Sequence, residues 1–250
     1  MKYKALFLDV DGTTVVHGID NLPSPRVTAA ISSCNALGFP VCLATSRPLR
    51  SVMAVINHLH LTSYCVISSG SQIYDAKKSQ IISEKLIPRN AISQIWEVAR
   101  EASETVQLFD GINEVSIEDG IVPSKVMGMW FPKLEPNVLT KIDEKITHIE
   151  GIATHRMEAW EDGFECLDIT NAEASKQHGV LEVAGLLGIK TSECIGVGDG
   201  HNDFPLLLAC GLKIAMGNAI PDLKTIADFV APSVEEDGVA TVIEKFILAK

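Results

Sequence analysis

The chain has 250 residues, enough for one large domain or two modest ones, and with 46% hydrophobic and 21% charged residues it is not a wholly disordered polymer. Its 21 Lys and Arg stand against 32 Asp and Glu, and the net charge of −11 argues against nonspecific nucleic-acid binding and against an anionic membrane surface. No apolar run approaches the ~18 residues of a membrane span and no charged-then-apolar leader opens the chain, so a cytoplasmic protein is expected.

The apolar run Leu6-Phe7-Leu8 ends in Asp9-Val10-Asp11-Gly12-Thr13-Thr14. Such a run reads as a buried parallel strand, and alternation places Asp9 and Asp11 on one side, at the carboxyl end where open α/β sheets bind ligands. Two acids there are costly unless a cation, a proton or hydrogen bonds compensate them; a strand followed by a plain Asp-Gly turn is the alternative. A calcium loop fits poorly, because the sixth position from Asp9 is Thr14 instead of glycine and the twelfth is Asp20 instead of glutamate. Ser24-Pro25 then caps a helix over 25–37 that stops at Gly38. Pro40 to Ala44 is a second strand, stopping at Thr45-Ser46-Arg47-Pro48, and a helix runs from Pro48 to about His58 with Val52, Val55, Ile56 and Leu59 on one face. Tyr64 to Ile67 is a third strand, broken at Ser68-Ser69-Gly70-Ser71. This alternation predicts a doubly wound parallel sheet.

From Gln72 to Leu86 two short strands flank a turn at Ala76-Lys77-Lys78-Ser79. Helices over 90–102 and 137–148 and strands near 106–109, 125–131, 152–156 and 164–169 follow, without the polar strand endings of the first third. An inserted α+β domain is therefore expected over 88–167, between core segments 1–87 and 168–250. From Asp168 the first style returns: Ser175 caps a helix over 176–187, 194–197 is a strand, and Gly198-Asp199-Gly200-His201-Asn202-Asp203 opens a helix over 204–209. A strand at 213–215, a helix at 221–227, a strand at 229–231 and a helix over 236–249 complete the sheet. The six cysteines, Cys34, Cys42, Cys65, Cys166, Cys194 and Cys210, mostly lie in apolar runs and read as small core residues in a reducing compartment.

Four places now carry polar groups at one expected sheet edge: Asp9 and Asp11, Thr45 and Ser46, Lys176, and Asp199 with Asn202 and Asp203. Singly, Thr45 and Ser46 are ordinary helix-start residues and Asp203 is a good cap for the helix with Pro205 in its first turn. Lys176 resists so plain a reading. In a first helical turn it meets the positive end of the macrodipole, a repulsion of about 0.3 to 1 kcal/mol that a nearby anion reverses. Helix N-termini, including one starting at Thr45-Ser46, offer N–H groups to phosphate, and Asp9, Asp11 and Asp199 make an oxygen cage suited to Mg²⁺. Phosphate, Mg²⁺ and a carboxylate nucleophile together point to phosphoryl transfer through an aspartyl-phosphate.

With Asp9-Val10-Asp11-Gly12-Thr13, Thr45 after the second strand, Lys176, and Gly198 to Asp203 in this order, the sequence resembles the haloacid dehalogenase superfamily of phosphotransferases. The last motif, the segment Ile67 to Asp75 and the place of the inserted domain resemble its Cof-type branch, which carries a large α/β cap. Two departures are Ser46, where glycine is commoner, and Gln177-His178 after Lys176. The resemblance implies a Rossmann-like core in which Asp9 is the nucleophile and Asp11 the acid and base. It implies Mg²⁺ on Asp9, the Asp11 main-chain oxygen and Asp199, with Asp203 in support. Phosphoryl oxygens would be held by Thr45, Ser46, Lys176, Asn202 and amides at Val10 and Gly12, with Arg47 beside them as a substrate contact. The cap would select the substrate, and His155, Arg156, Glu158 and Trp160 are its polar and aromatic candidates. The expected activity is a Mg²⁺-dependent phosphatase of small phosphorylated metabolites, sugar phosphates or phosphoglycolate-like acids, in a monomer or homodimer. A phosphomutase and a noncatalytic phospho-acceptor module are the alternatives.

Overall fold

The structure, a computed structural model, describes residues 2–18, 21–117, 121–159 and 161–249, without the side chains of 157 and 158. Trp160 and the Glu158 side chain thus lie outside the described residues. Two compact units are present, one made of Met1–Ser83 and Ser175–Lys250, the other of Glu84–Ala174.

The apolar opening run is β1 (Ala5–Leu8), buried along its whole length. The Ser24 hydroxyl accepts from the Val27 N–H at 3.1 Å and starts α1 (Pro25–Ala36), whose Val27, Ala30, Ile31 and Cys34 form one buried stripe at helical spacing. Next come β2 (Val41–Leu43), α2 (Leu49–His58), β3 (Tyr64–Ile67), β4 (Gln72–Asp75) and β5 (Gln80–Glu84). The middle of the chain holds α3 (Arg89–Ala102), β6 (Gln107–Phe109), β7 (Glu114–Val115), β8 (Gly128–Leu134), α4 (Pro136–Ile146), β9 (Ile152–Glu158) and β10 (Glu165–Asn171). The last part holds α5 (Lys176–Leu187), β11 (Cys194–Gly198), α6 (Phe204–Ala209), β12 (Leu212–Ala215), α7 (Pro221–Ile226), β13 (Phe229–Val230) and α8 (Gly238–Ile243).

In the first unit β13, β12, β11, β1 and β2 form a parallel sheet in that order, with β1 flanked by β11 and β2. The third expected strand, β3, meets β2 in parallel at one bridge, Ala44 with Val66, and otherwise pairs antiparallel with β4 in a sheet of order β3-β4-β5. The fold is thus mixed: a doubly wound parallel sheet continued by a hairpin. All six cysteines are buried free thiols.

The second unit is a sheet of order β7-β6-β8-β10-β9, antiparallel at each pairing described. Ile92 and Ile95 of α3 and Leu139 and Ile142 of α4 pack with Met129, Phe131, Leu167 and Ile169 of the sheet in a hydrophobic cluster of their own. The expected domain edge at 167/168 falls inside β10, which runs unbroken because its residues alternate between this cluster and the other face. Strand β8 lies over Gly128–Leu134, displaced from the expected 125–131. Pro132, which has no N–H to give, sits where the pairing with β10 shifts register between Glu165 and Leu167.

The single helix expected over 236–249 is also interrupted. Asp237 adopts φ +58° after a 3-10 turn over Val234–Glu236, α8 starts at Gly238, and the chain leaves it through a π-helical turn over Glu244–Leu248. A side chain at Gly238 would come within 2.1 Å of the Pro232 carbonyl, so the turn and the helix can approach only through glycine.

Another glycine ties the end of β3 to the start of α5. Gly70 has φ +96°, and a Cβ there would lie 2.2 Å from the Ser175 carbonyl oxygen. Gly70→Ala is therefore expected to lower the unfolding free energy by about 1 to 3 kcal/mol or more, read from urea denaturation. An unchanged midpoint would contradict this packing.

Candidate active site

Strand register assembles the site. Leu8 pairs with Val197 of β11 on one side and with Leu43 of β2 on the other, so Asp9 leaves the sheet level with Gly198 and Ala44. Asp199 and Thr45 follow one residue later on the two neighbouring strands, and the Asp9 N–H donates to the Val197 carbonyl at 3.0 Å. The carboxyl edge thus gathers residues almost 200 positions apart in the chain.

At its centre is Lys176, the first residue of α5, whose ammonium donates to Asp9 Oδ1 at 2.5 Å and to Asp203 Oδ1 at 2.6 Å. All three side chains are buried. The second oxygen of Asp203 accepts from the N–H groups of Asp199 at 2.9 Å and Gly200 at 3.0 Å. Asp203 therefore pins the loop after β11 to the lysine. It makes no side-chain cap bond to α6, contrary to the plain reading of that residue. Asp199 accepts from the Thr13 hydroxyl at 2.9 Å, and the Thr14 hydroxyl donates to the Asp9 carbonyl at 2.6 Å. Gly12, at φ +78°, lets the turn pass, since a Cβ there would lie 2.2 Å from Asp199 Oδ2.

Asp9, Asp199 and Asp203 each offer a carboxylate oxygen within 4.8 Å of the others. Three acids against one ammonium leave the cluster short of positive charge, and the electrostatics register it. Burial, then Asp203, push the Asp9 carboxyl well above its usual range, against the pull of Lys176. Burial also raises Asp199 from 3.8 to about 6, opposed by the Thr13 hydrogen bond. Burial by itself would lower Lys176, but Asp203 and Asp9 outweigh it and hold the ammonium charged. An all-carboxylate, buried, electron-rich donor set fits a hard divalent cation such as Mg²⁺.

The other expected residues fall as follows. The Asp11 carboxylate stands apart from this cluster and is gripped by Arg47, with Nε to Oδ2 at 2.8 Å and Nη2 to Oδ1 at 2.5 Å. Ser46 and Asn202 are exposed and joined, the Asn202 amide donating to the Ser46 hydroxyl at 3.2 Å. Thr45 is buried, and its hydroxyl oxygen accepts from the Arg47 N–H at 3.1 Å. Neither Thr45 nor Ser46 starts a helix: α2 begins at Leu49, because Pro48 disfavours helical backbone in Arg47 before it. The Gly12 amide, expected to hold phosphate, donates to the Val15 carbonyl at 2.8 Å and closes the turn instead. His201 is exposed. In the other unit Arg156 pairs with Asp143 at 2.7 Å, and His155 lies 3.3 Å from the Thr170 hydroxyl.

Sequence reading missed Asn218. Its amide donates to the Gly12 carbonyl at 2.8 Å and to Asp199 Oδ2 at 3.4 Å, while its oxygen accepts from the Val234 N–H at 2.9 Å. The signal was available: Gly217-Asn218 follows β12, a parallel strand ending at the same edge.

The first unit is thus a Rossmann-like parallel core that collects acids at its strand edge, and a second α/β unit is inserted in its chain. The sequence profile of the haloacid dehalogenase-like hydrolases matches residues 6–126 and 111–243, and the chain belongs to that family. A relative in Bacillus subtilis, the 5-amino-6-(5-phospho-D-ribitylamino)uracil phosphatase YcsE, is 24% identical over 98% of this chain and 96% of its own. The phosphoglycolate phosphatase of Methanopyrus kandleri is 26% identical over 96% of this chain and 95% of its own. The structure of BT1666 from Bacteroides thetaiotaomicron, described among the phosphatases of this superfamily, superposes with a TM-score of 0.83 at 23% identity, covering 99% of this chain and 96% of that one.

Two outcomes follow from the cluster. Asp199 titrates higher folded than unfolded, so its favourable contribution is complete below 3.8 and is lost as pH rises through about 6. Added Mg²⁺ is accordingly expected to raise the melting temperature of EDTA-treated protein more at about pH 7.5 than at about pH 5. Equal shifts would count against an acid-lined cation site. Asn218→Ala is expected to cost about 1 to 2 kcal/mol in urea unfolding, because it strips partners from the Gly12 carbonyl and the Val234 N–H.

Proposed function

We propose that the protein is a Mg²⁺-dependent phosphatase of small phosphorylated metabolites, sugar phosphates or phosphoglycolate-like acids, acting through a phosphorylated Asp9. Family membership and the phosphatases named among its relatives support a phosphoric monoester hydrolase. The observation that carries the finer reading is Asp9 itself, a buried carboxylate at a strand end, held by Lys176 beside Asp199 and Asp203.

In this reading an Asp9 oxygen attacks phosphorus and the bond from phosphorus to the leaving oxygen breaks as Asp11 gives that oxygen a proton. Water then attacks the phosphoryl group, Asp11 takes its proton, and the bond from phosphorus to Asp9 breaks to release inorganic phosphate. Lys176 has three N–H donors, of which Asp9 and Asp203 use two, so one is left for a phosphoryl oxygen. The Thr45 oxygen accepts from the Arg47 N–H, and its O–H is a further donor for a phosphoryl oxygen. Ser46, Asn202 and the Val10 amide complete the set that stabilises developing charge. Mg²⁺, when held by Asp9, the Asp11 carbonyl and Asp199, with Asp203 behind them, would neutralise phosphoryl oxygens and offset the three buried acids.

The pure protein is expected to hydrolyse p-nitrophenyl phosphate with Mg²⁺ and to lose activity in EDTA. Asp9→Asn should lower kcat by more than about a thousandfold. A fully active Asp9→Asn enzyme would sink the assignment of the nucleophile. Sugar-phosphate isomerisation without phosphate release would replace the phosphatase by a mutase.

A further inference from the structure

Arg47 occupies an unexpected place. Its side chain, only 8% exposed, directs its N–H groups into the protein, with contacts that include two on the Asp11 carboxylate, one on the Gly18 carbonyl at 3.1 Å and one on the Ser51 carbonyl at 3.2 Å. Its backbone is fixed as well. The N–H donates to the Thr45 hydroxyl, and the carbonyl accepts from the Ser68 N–H at 3.0 Å. The guanidinium is thus a rigid brace from the loop after β2 to the loop after β1, and both oxygens of Asp11 rest in its fork.

A substrate-binding arginine would present donors to the phosphate or to the rest of the substrate. This one is turned to the residue that must deliver and recover a proton, and it meets that residue in the planar two-bond geometry that fixes a carboxylate in angle as well as distance. Lysine cannot reproduce such a grip, because its ammonium is a point charge without a fork. The Asp11 side chain is also one-third exposed, at 36%, and lies outside the acid cluster, so burial does little to orient it. Among the described residues, Arg47 grips both of its oxygens.

We propose that Arg47 is a positioning residue for Asp11: the guanidinium fork sets the direction from which the acid reaches the leaving oxygen. This rests on the phosphatase reading above and adds a role for a residue that would otherwise count as a phosphate or substrate contact. Asp11 gives up one of its two contacts and takes a proton from solvent on the freed oxygen, which carries it to the leaving group, while the remaining contact keeps the carboxyl aimed. Loss of Arg47 then harms the steps that need Asp11 and spares those that do not.

The test uses leaving groups. p-Nitrophenolate departs without a proton, whereas the alkoxide of glycerol 2-phosphate needs one. First-turnover release of each alcohol, measured with Mg²⁺, reports the attack step alone. Arg47→Ala and Arg47→Lys are both expected to slow glycerol release by about 100-fold and p-nitrophenol release by less than about threefold, with KM for both substrates nearly unchanged. In an Asp11→Asn background, removing Arg47 should add no further loss. Circular dichroism and urea unfolding verify that the variants are folded, and Arg47→Lys keeps charge and stem if Arg47→Ala proves unstable. A rise in KM with kcat retained, an equal loss on both substrates, or a loss that persists in the Asp11→Asn background would overturn the assignment of Arg47 alone. A wild-type protein that turns over neither substrate would overturn the phosphatase reading and this proposal together.

Discussion

The ammonium of Lys176 between Asp9 and Asp203 is the interaction on which the site depends. An isolated buried carboxylate would take a proton and lose its nucleophilic character, and an isolated buried lysine would lose its charge. Here the two acids hold the ammonium charged, and the ammonium in turn pulls against the burial and the Asp203 charge that still hold the Asp9 carboxyl above its usual range. Removing one partner from such a contact commonly costs about 3 to 5 kcal/mol, because the other charge is left stranded. With Asp199 included the three carboxyl groups outnumber the single ammonium by two, and that shortage makes the site receptive to a divalent ion and to a substrate that brings its own negative charge along with the ion.

The sheet supplies the precision. Because β1 lies between β11 and β2, a single register on each side places Asp9, Asp199 and Thr45 at adjacent levels of one edge. Asp203 then converts proximity into rigidity, since one of its oxygens holds the lysine and the other holds two backbone amides of the β11 loop. Asn218 does similar work from the far side, linking the turn at Gly12 to the chain after β13. Little of this geometry is left to flexible side chains. The turn can pass Asp199 only because Gly12 has no side chain, since a Cβ there would overlap the carboxylate.

Much of this was legible in the sequence. The alternation of buried strands and helices, the paired acids after the first strand and the odd placing of Lys176 at a helix start each have a local physical signature. What was hidden depends on partners that only the fold brings together. Nothing local says that Arg47 turns back to Asp11, that Asp203 binds two amides instead of capping α6, or that the Gly12 amide is consumed by Val15. Asn218 was overlooked because one polar residue after a short strand carries no pattern. The misplaced elements have backbone causes: Pro48 delays α2, Pro132 sits at a register shift in β8, and Asp237 breaks the last helix by adopting a left-handed turn.

Every side chain of the acid, lysine and arginine network lies before Glu84 or after Ala174, and the intervening segment has its own hydrophobic cluster. Mutational drift within 84–174 is therefore answerable to a separate packing problem. A core substitution there acts first on the stability of its own cluster, whereas a substitution at Asp9, Lys176, Asp199 or Asp203 acts first on the charge balance of the site.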